Sequence, residues 1–355
     1  MCKFIKLVYL ILLVAFASCT STESKPIENK QQEQLNQLNS LLRDSAFTVA
    51  IAFKQDSAYQ ASQSAAASAL PGRDSIIMKS YKEEKIATNL AGFLAVECGI
   101  GALMQLDGGT PVEWLQRIVN KGLDSTSILL LNRFANATWK ASQPFRGLSR
   151  ITRDNFIVAN FLSEEETKKD FDQVMAAASM LLDTMKKSTN ESKEQQIEMI
   201  SSLMKNKNFV TDMAKHMEAS YYEALNKPVP EFLSPADESK MVEKSAFEEQ
   251  VATKVAGFYA LECGVSYMAT AQKKLPVDVL KSIENETITR QNKELLERFA
   301  NATWKAGQAF RSLDRIERSS FTPFSLLSPE EVDKDWVQIK SAASFLLKSF
   351  NSPAK

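Results

Sequence analysis

The 355-residue chain holds one histidine, four cysteines, eleven glycines and eleven prolines, and its 43 basic side chains are matched by 43 acidic ones. With His216 as the sole histidine, no duplicated base stands beside a thiol or hydroxyl, and no Glu-x-x-His pair of the di-iron bundle type occurs. The balanced charge and the lack of a basic tail remove the electrostatic footprint that nucleic acid requires. No catalytic triad, metal motif or phosphate loop is present, and no cofactor is expected. Scarce glycine and proline, with abundant Ala, Leu, Lys, Glu, Gln and Met, favour helix. No apolar/polar alternation is long enough to predict a strand.

What is present is a repetition. RFANATWKA begins at Arg133 and again at Arg298. A shift of 165 aligns Glu83–Leu182 with Glu248–Leu347 without a gap, and 47 of those 100 positions are identical. Upstream a shift of 162 pairs Gln34, Leu38, Leu41, Phe47 and Tyr59 with Gln196, Ile200, Leu203, Phe209 and Tyr221. The chain is therefore a tandem duplication whose length difference falls near residues 62–75. Each copy, of about 155 residues, is large enough for a core of its own. The expected fold is all-α, two tandem duplicated helical bundles over 31–188 and 193–353, joined by the polar stretch Lys186–Lys193.

At the N-terminus, Lys3 and Lys6 precede the apolar run Leu7–Ala15, and Phe16-Ala17-Ser18 leads into Cys19. This is the pattern of a secretory signal over 1–18, too short for a span of about 20 residues. Ala17-Ser18-Cys19 resembles the lipobox of bacterial lipoproteins. The resemblance implies acylation of Cys19, a membrane anchor, and a place in the cell envelope, at the outer membrane. Without Lys3 and Lys6 the balance is 41 basic against 43 acidic residues, a net of −2. Residues 19–30 read as a lipidated tether.

Apolar spacing predicts five or six helices per copy. Leu35, Leu38, Leu41 and Leu42 form the first stripe, and Asp44, like Asn206, caps the helix that follows. A long helix from near Ser75 carries Ile86, Leu90, Phe93, Leu94, Glu97, Gly101 and Met104. Pro111 and Pro276 open short helices. Pro144 predicts a bend in the RFANATWKA helix that Ala309 spares its counterpart. Ser163 and Ser328 begin the last helix of each copy with capping boxes.

Three constellations are candidates for chemistry. Glu97-Cys98-Gly99 recurs as Glu262-Cys263-Gly264, with each glutamate in an apolar stripe and Glu83 pointing the same way as Glu97. These acids serve either a metal-dependent or hydrolytic site, or pair with a neighbouring cation, for which Arg133 and Arg298 are the candidates. Cys98 and Cys263 form either a bridge across a pseudo-twofold axis or two small buried side chains, the second being favoured. The far face of the RFANATWKA helix gathers Asn136, Trp139, Lys140, Gln143, Arg146 and Arg150, matched by Asn301, Trp304, Lys305, Gln308, Arg311 and Arg315. That face suits a ligand with carboxylate or phosphate groups, or else packs against acids such as Glu84 and Glu249. Asn136-Ala-Thr and Asn301-Ala-Thr match a glycosylation acceptor, and His216 reads as a surface residue.

The expectation is a non-catalytic binding or scaffold protein with two related surfaces, whose partners are the membrane through the lipid and a protein or small anionic ligand. An enzyme using Glu97 and Glu262, or a purely structural envelope spacer, are the alternatives.

Overall fold

Local signals set the helix boundaries. Asp44 accepts from the amides of Ala46 and Phe47, and Asn206 from those of Asn208 and Phe209, so orphan donors of the first turn are satisfied at equivalent points of both copies. Thr110 and Glu113 form a reciprocal capping box with Pro111 at the first helical position. The computed structural model describes residues 24–66 and 69–351. Cys19 and the signal segment expected over 1–18 lie outside these residues.

The protein is mostly helical. The first copy runs α1 (Ser24–Leu42), α2 (Ser45–Ser62), β1 (Ile76–Ser80), α3 (Tyr81–Asn89), α4 (Ala91–Asp107), α5 (Pro111–Val119), α6 (Ser125–Arg146) and α7 (Glu164–Met185). The second runs α8 (Lys193–Lys205), α9 (Lys207–Ala224), the single turn α10 (Pro235–Glu238), β2 (Met241–Ser245), α11 (Ala246–Lys254), α12 (Ala256–Ala271), α13 (Pro276–Glu284), α14 (Arg290–Arg311) and α15 (Pro329–Asn351). From β1 onward, equivalent elements begin 165 residues apart. The three-residue difference falls before β2, where α10 is inserted.

Several expectations need correction. α1 already begins at Ser24, so the tether is helical over 24–30; Pro26 lies in the first turn, where no backbone donor is needed. The long helix from Ser75 is instead a strand followed by two helices, with a 42° bend between α3 and α4 at Leu90. β1 and β2 pair antiparallel, with Met78 opposite its own equivalent, Glu243. Neither strand has a partner within its own copy, and a lone five-residue strand has no stability of its own. α6 runs through Pro144 and ends at Arg146, equivalent to the end of α14 at Arg311. The proline occupies the last turn, and both helices stop at the same place.

The boundary between the copies in sequence is not a boundary in space. α2 of the first copy packs against α11 and α15 of the second, while α9 of the second packs against α3 and α7 of the first. α6 and α14 lie against each other at the centre, and each also touches the other copy's Glu-Cys-Gly helix, α12 and α4 respectively. Phe134 stacks on Phe299 at 4.1 Å between centroids and Phe145 on Phe310 at 5.4 Å. Residues that meet their own equivalents lie on a pseudo-twofold axis. The separate bundles expected over 31–188 and 193–353 are thus interleaved, because each copy's first helical pair finds its apolar partner on the other copy. The 186–193 connection is held down as well: Gln196 donates to the carbonyls of Ser188 and Glu191.

Among the described residues no single helix is long and apolar enough to cross a membrane; α3 and α4 pass that test only as a bent pair.

Candidate functional site

The Glu-Cys-Gly motif sits where the copies cross. Lys305 Nζ lies 2.7 Å from Glu97 Oε2, and Lys140 Nζ lies 2.5 Å from Glu262 Oε2. Both lysines are fully buried, and the glutamates are 5% and 0% exposed. An isolated charge in such a place is costly, whereas a close opposite charge offsets much of the desolvation. The pairing reading of Glu97 and Glu262 holds, with a different cation: Arg298 turns instead to Glu294 at 2.8 Å and to the Phe324 ring. Lys140 and Lys305 consequently belong to the core and not to a ligand surface. Glu83, on the far side of the Leu90 bend, is half-buried in the capping turn of α3.

Each cysteine donates to the carboxylate beside it, Cys98 to Glu97 at 3.0 Å and Cys263 to Glu262 at 3.2 Å. Both thiols are free and buried. Burial first, then the neighbouring carboxylate, pushes them well above the ordinary thiol range, so neither is poised as a nucleophile. The bridge across the axis is not formed. The glycine that follows lets helices approach: a β-carbon on Gly99 or Gly264 would run into Leu131 or Leu296.

The polar face of the RFANATWKA helices divides by depth. Asn136, Gln143, Asn301 and Gln308 are buried, which also closes Asn136 and Asn301 to glycosylation. Trp139, Arg146, Arg150, Trp304, Arg311 and Arg315 are partly exposed. Glu84 and Glu249 do not ion-pair with these arginines; they are taken by Lys244 at 2.5 Å and Lys79 at 3.1 Å, each from the opposite copy. Arg146 and Arg311 are each drawn down to about 10, first by burial and then by the next arginine along.

In the second copy this face opens into a cleft of about 430 Å³. Asn301, Trp304, Gln308, Arg311 and Arg315 line it on one side, and Gln55, Asp56 and Tyr59 of α2 line it on the other. The site is therefore built from both copies. Asp335, from α15, also lines it, with its carboxyl raised well above the ordinary range by burial and then by Glu297. Its equivalent Asp170 is raised to about 7 by burial and then by Glu166.

Sequence reading missed these two aspartates and the residues of α2. The Lys-Asp pairs at 169–170 and 334–335 recur in both copies, which was the available signal; nothing local shows that α2 crosses to the other copy. His216 is half-buried at the surface, and its Nε2 donates to the Ala176 carbonyl at 3.0 Å.

No protein-family model, no curated protein and no solved structure matches the chain.

Proposed function

We propose that the chain is a non-catalytic binding protein of the bacterial cell envelope, anchored through acylated Cys19 and presenting two related surfaces centred on Trp139/Arg146 and Trp304/Arg311. The observation that carries this reading is the cleft, in which five of the six residues of the duplicated polar face, Asn301, Trp304, Gln308, Arg311 and Arg315, converge. Concave sites with a few convergent polar groups and an aromatic wall are where small molecules bind. The two surfaces descend from one by duplication of a helical unit, and the one at Trp304 is completed by α2 of the other copy.

The enzymatic alternative loses ground because Glu97 and Glu262 are bound to lysines and closed from solvent. The spacer alternative leaves the cleft without a use.

The test is native mass spectrometry of the mature protein purified from the envelope of its own bacterium. Adduct mass on the wild type, lost in a folded Trp139→Ala plus Trp304→Ala variant, supports the reading. Unchanged spectra for the two proteins contradict it. Loss of the acyl mass from the N-terminal peptide in Cys19→Ala checks the anchor.

A further inference from the structure

The cleft contains more cations than its own acids can neutralise. Of its basic residues, Lys254 is held by Asp56 at 2.5 Å and Lys334 by Glu331 at 2.9 Å. The remaining acid, Asp335, is buried, and burial favours its uncharged form. Arg311, Arg315 and Arg318 are left over. Among the described residues no carboxylate lies within 4.0 Å of their guanidinium groups, and Arg315 reaches only the side-chain oxygen of Gln308, at 3.0 Å. Three guanidinium groups gathered on one wall repel one another unless an anion sits among them.

A second observation is independent of charge. Gln55 and Asn301 both line the cleft and are 1% and 3% exposed. Neither the amide nitrogen nor the oxygen of Gln55 has a hydrogen-bond partner, and neither does the side-chain oxygen of Asn301. Each buried, unpaired polar group costs about 1–3 kcal/mol, so groups of this kind call for a partner. The first copy offers a comparison. At the equivalent place on the first copy's surface stands Met217, from α9 of the second copy, whose methyl group packs over Gly92 as the side-chain oxygen of Gln55 packs over Gly257.

Resting on the binding reading above, we propose that the cleft binds a small hydroxylated molecule carrying phosphate, sulfate or carboxylate groups. Arg311, Arg315 and Arg318 take the anionic groups through charge-assisted hydrogen bonds. Trp304 supplies a flat apolar wall, and Gln55 and Asn301 bond polar substituents. The equivalent surface of the first copy keeps Arg146, Arg150, Arg153 and the buried amide of Asn136 but has Met217 in place of Gln55, so it binds the same molecule more weakly.

The experiment is isothermal titration of the full mature chain with pyrophosphate, citrate, glucose 6-phosphate, a sulfated disaccharide and neutral maltose, each at matched ionic strength. The expected result is saturable binding of at least one anion and none of maltose. Arg315→Gln and Arg318→Gln, both at solvent-accessible positions, weaken it at least about tenfold each, the loss of one charge-assisted hydrogen bond. Gln55→Met, which places there the residue of its equivalent position, Met217, also weakens it, while Lys187→Gln, in the connection between the copies, leaves it unchanged.

Absence of saturable binding by any of the anions overturns the proposal, as does binding indifferent to Arg315→Gln and Arg318→Gln. Maltose binding that is sensitive to Trp304→Ala, with no anion bound, overturns the anion assignment but leaves the binding reading intact. Adduct-free protein in the mass-spectrometric test, by contrast, removes that reading itself.

Discussion

Individual residues carry the most definite chemistry in the two buried lysine–glutamate pairs. Removing one member of a buried pair strands the other charge, so Glu97→Gln or Lys305→Met alone should cost about 3–5 kcal/mol of unfolding free energy. The double replacement Glu97→Leu plus Lys305→Met should recover most of that loss, and urea denaturation reads both. Asp170 gives a prediction in pH. Its carboxyl titrates at about 7 in the folded protein against an ordinary 3.8, so the folded state retains a proton that the unfolded state has released. Its contribution is present below about pH 4 and lost as pH rises through 7. Glu297, also raised to about 7 by burial, adds in the same direction. Asp170→Asn stays neutral throughout and should flatten the fall in stability between these limits by its own share. The thiols make a third case: in the chain from residue 20 onward, a thiol-specific reagent should find none in the native protein and two, Cys98 and Cys263, after denaturation without reductant.

At the scale of the element, what was legible in the sequence was what is local. The caps at Asp44 and Asn206 involve neighbours two or three residues away, and of the first stripe Leu35, Leu38 and Leu42 are buried and Leu41 partly so, as its spacing implies. β1 and β2 were not legible, because a five-residue strand is defined by its partner, here 165 residues away. The Leu90 bend was hidden for another reason: the apolar stripe continues across it, from Ile86 to Phe93, so periodicity shows no interruption. Gly264 belongs to this scale too. Gly264→Ala would force α12 and α14 apart at Leu296, and overpacking of this sort costs about 1–3 kcal/mol; a lowered denaturation midpoint with an unchanged slope would confirm it.

For the whole molecule, the duplication was plain in the sequence and its arrangement in space was not. Both copies carry the same apolar faces, so α2 could in principle cover its own copy or the other, and only the packing distinguishes them. The polar face of the RFANATWKA helices was legible as residues and misleading as a surface, since Lys140 and Lys305 at its middle reach across the axis to the other copy. Interleaving has a consequence for stability. Residues 31–188 alone would lack the helices that cover α3, α6 and α7, so this fragment should be unfolded as a monomer or fold only as a twofold dimer in which Lys140 of one molecule pairs with Glu97 of the next. Sedimentation and circular dichroism distinguish a folded monomer, which would contradict the interleaved packing, from either outcome.

The binding claim is tested most directly by nuclear magnetic resonance of the four tryptophan indole protons, at Trp114, Trp139, Trp304 and Trp336. The chain from residue 20 onward would be titrated with the small-molecule fraction of the cells that make it. The account predicts a saturable shift at Trp304, a weaker one at Trp139, and none at Trp114, which is buried in α5. A spectrum in which Trp304 stays fixed through the whole titration would contradict it.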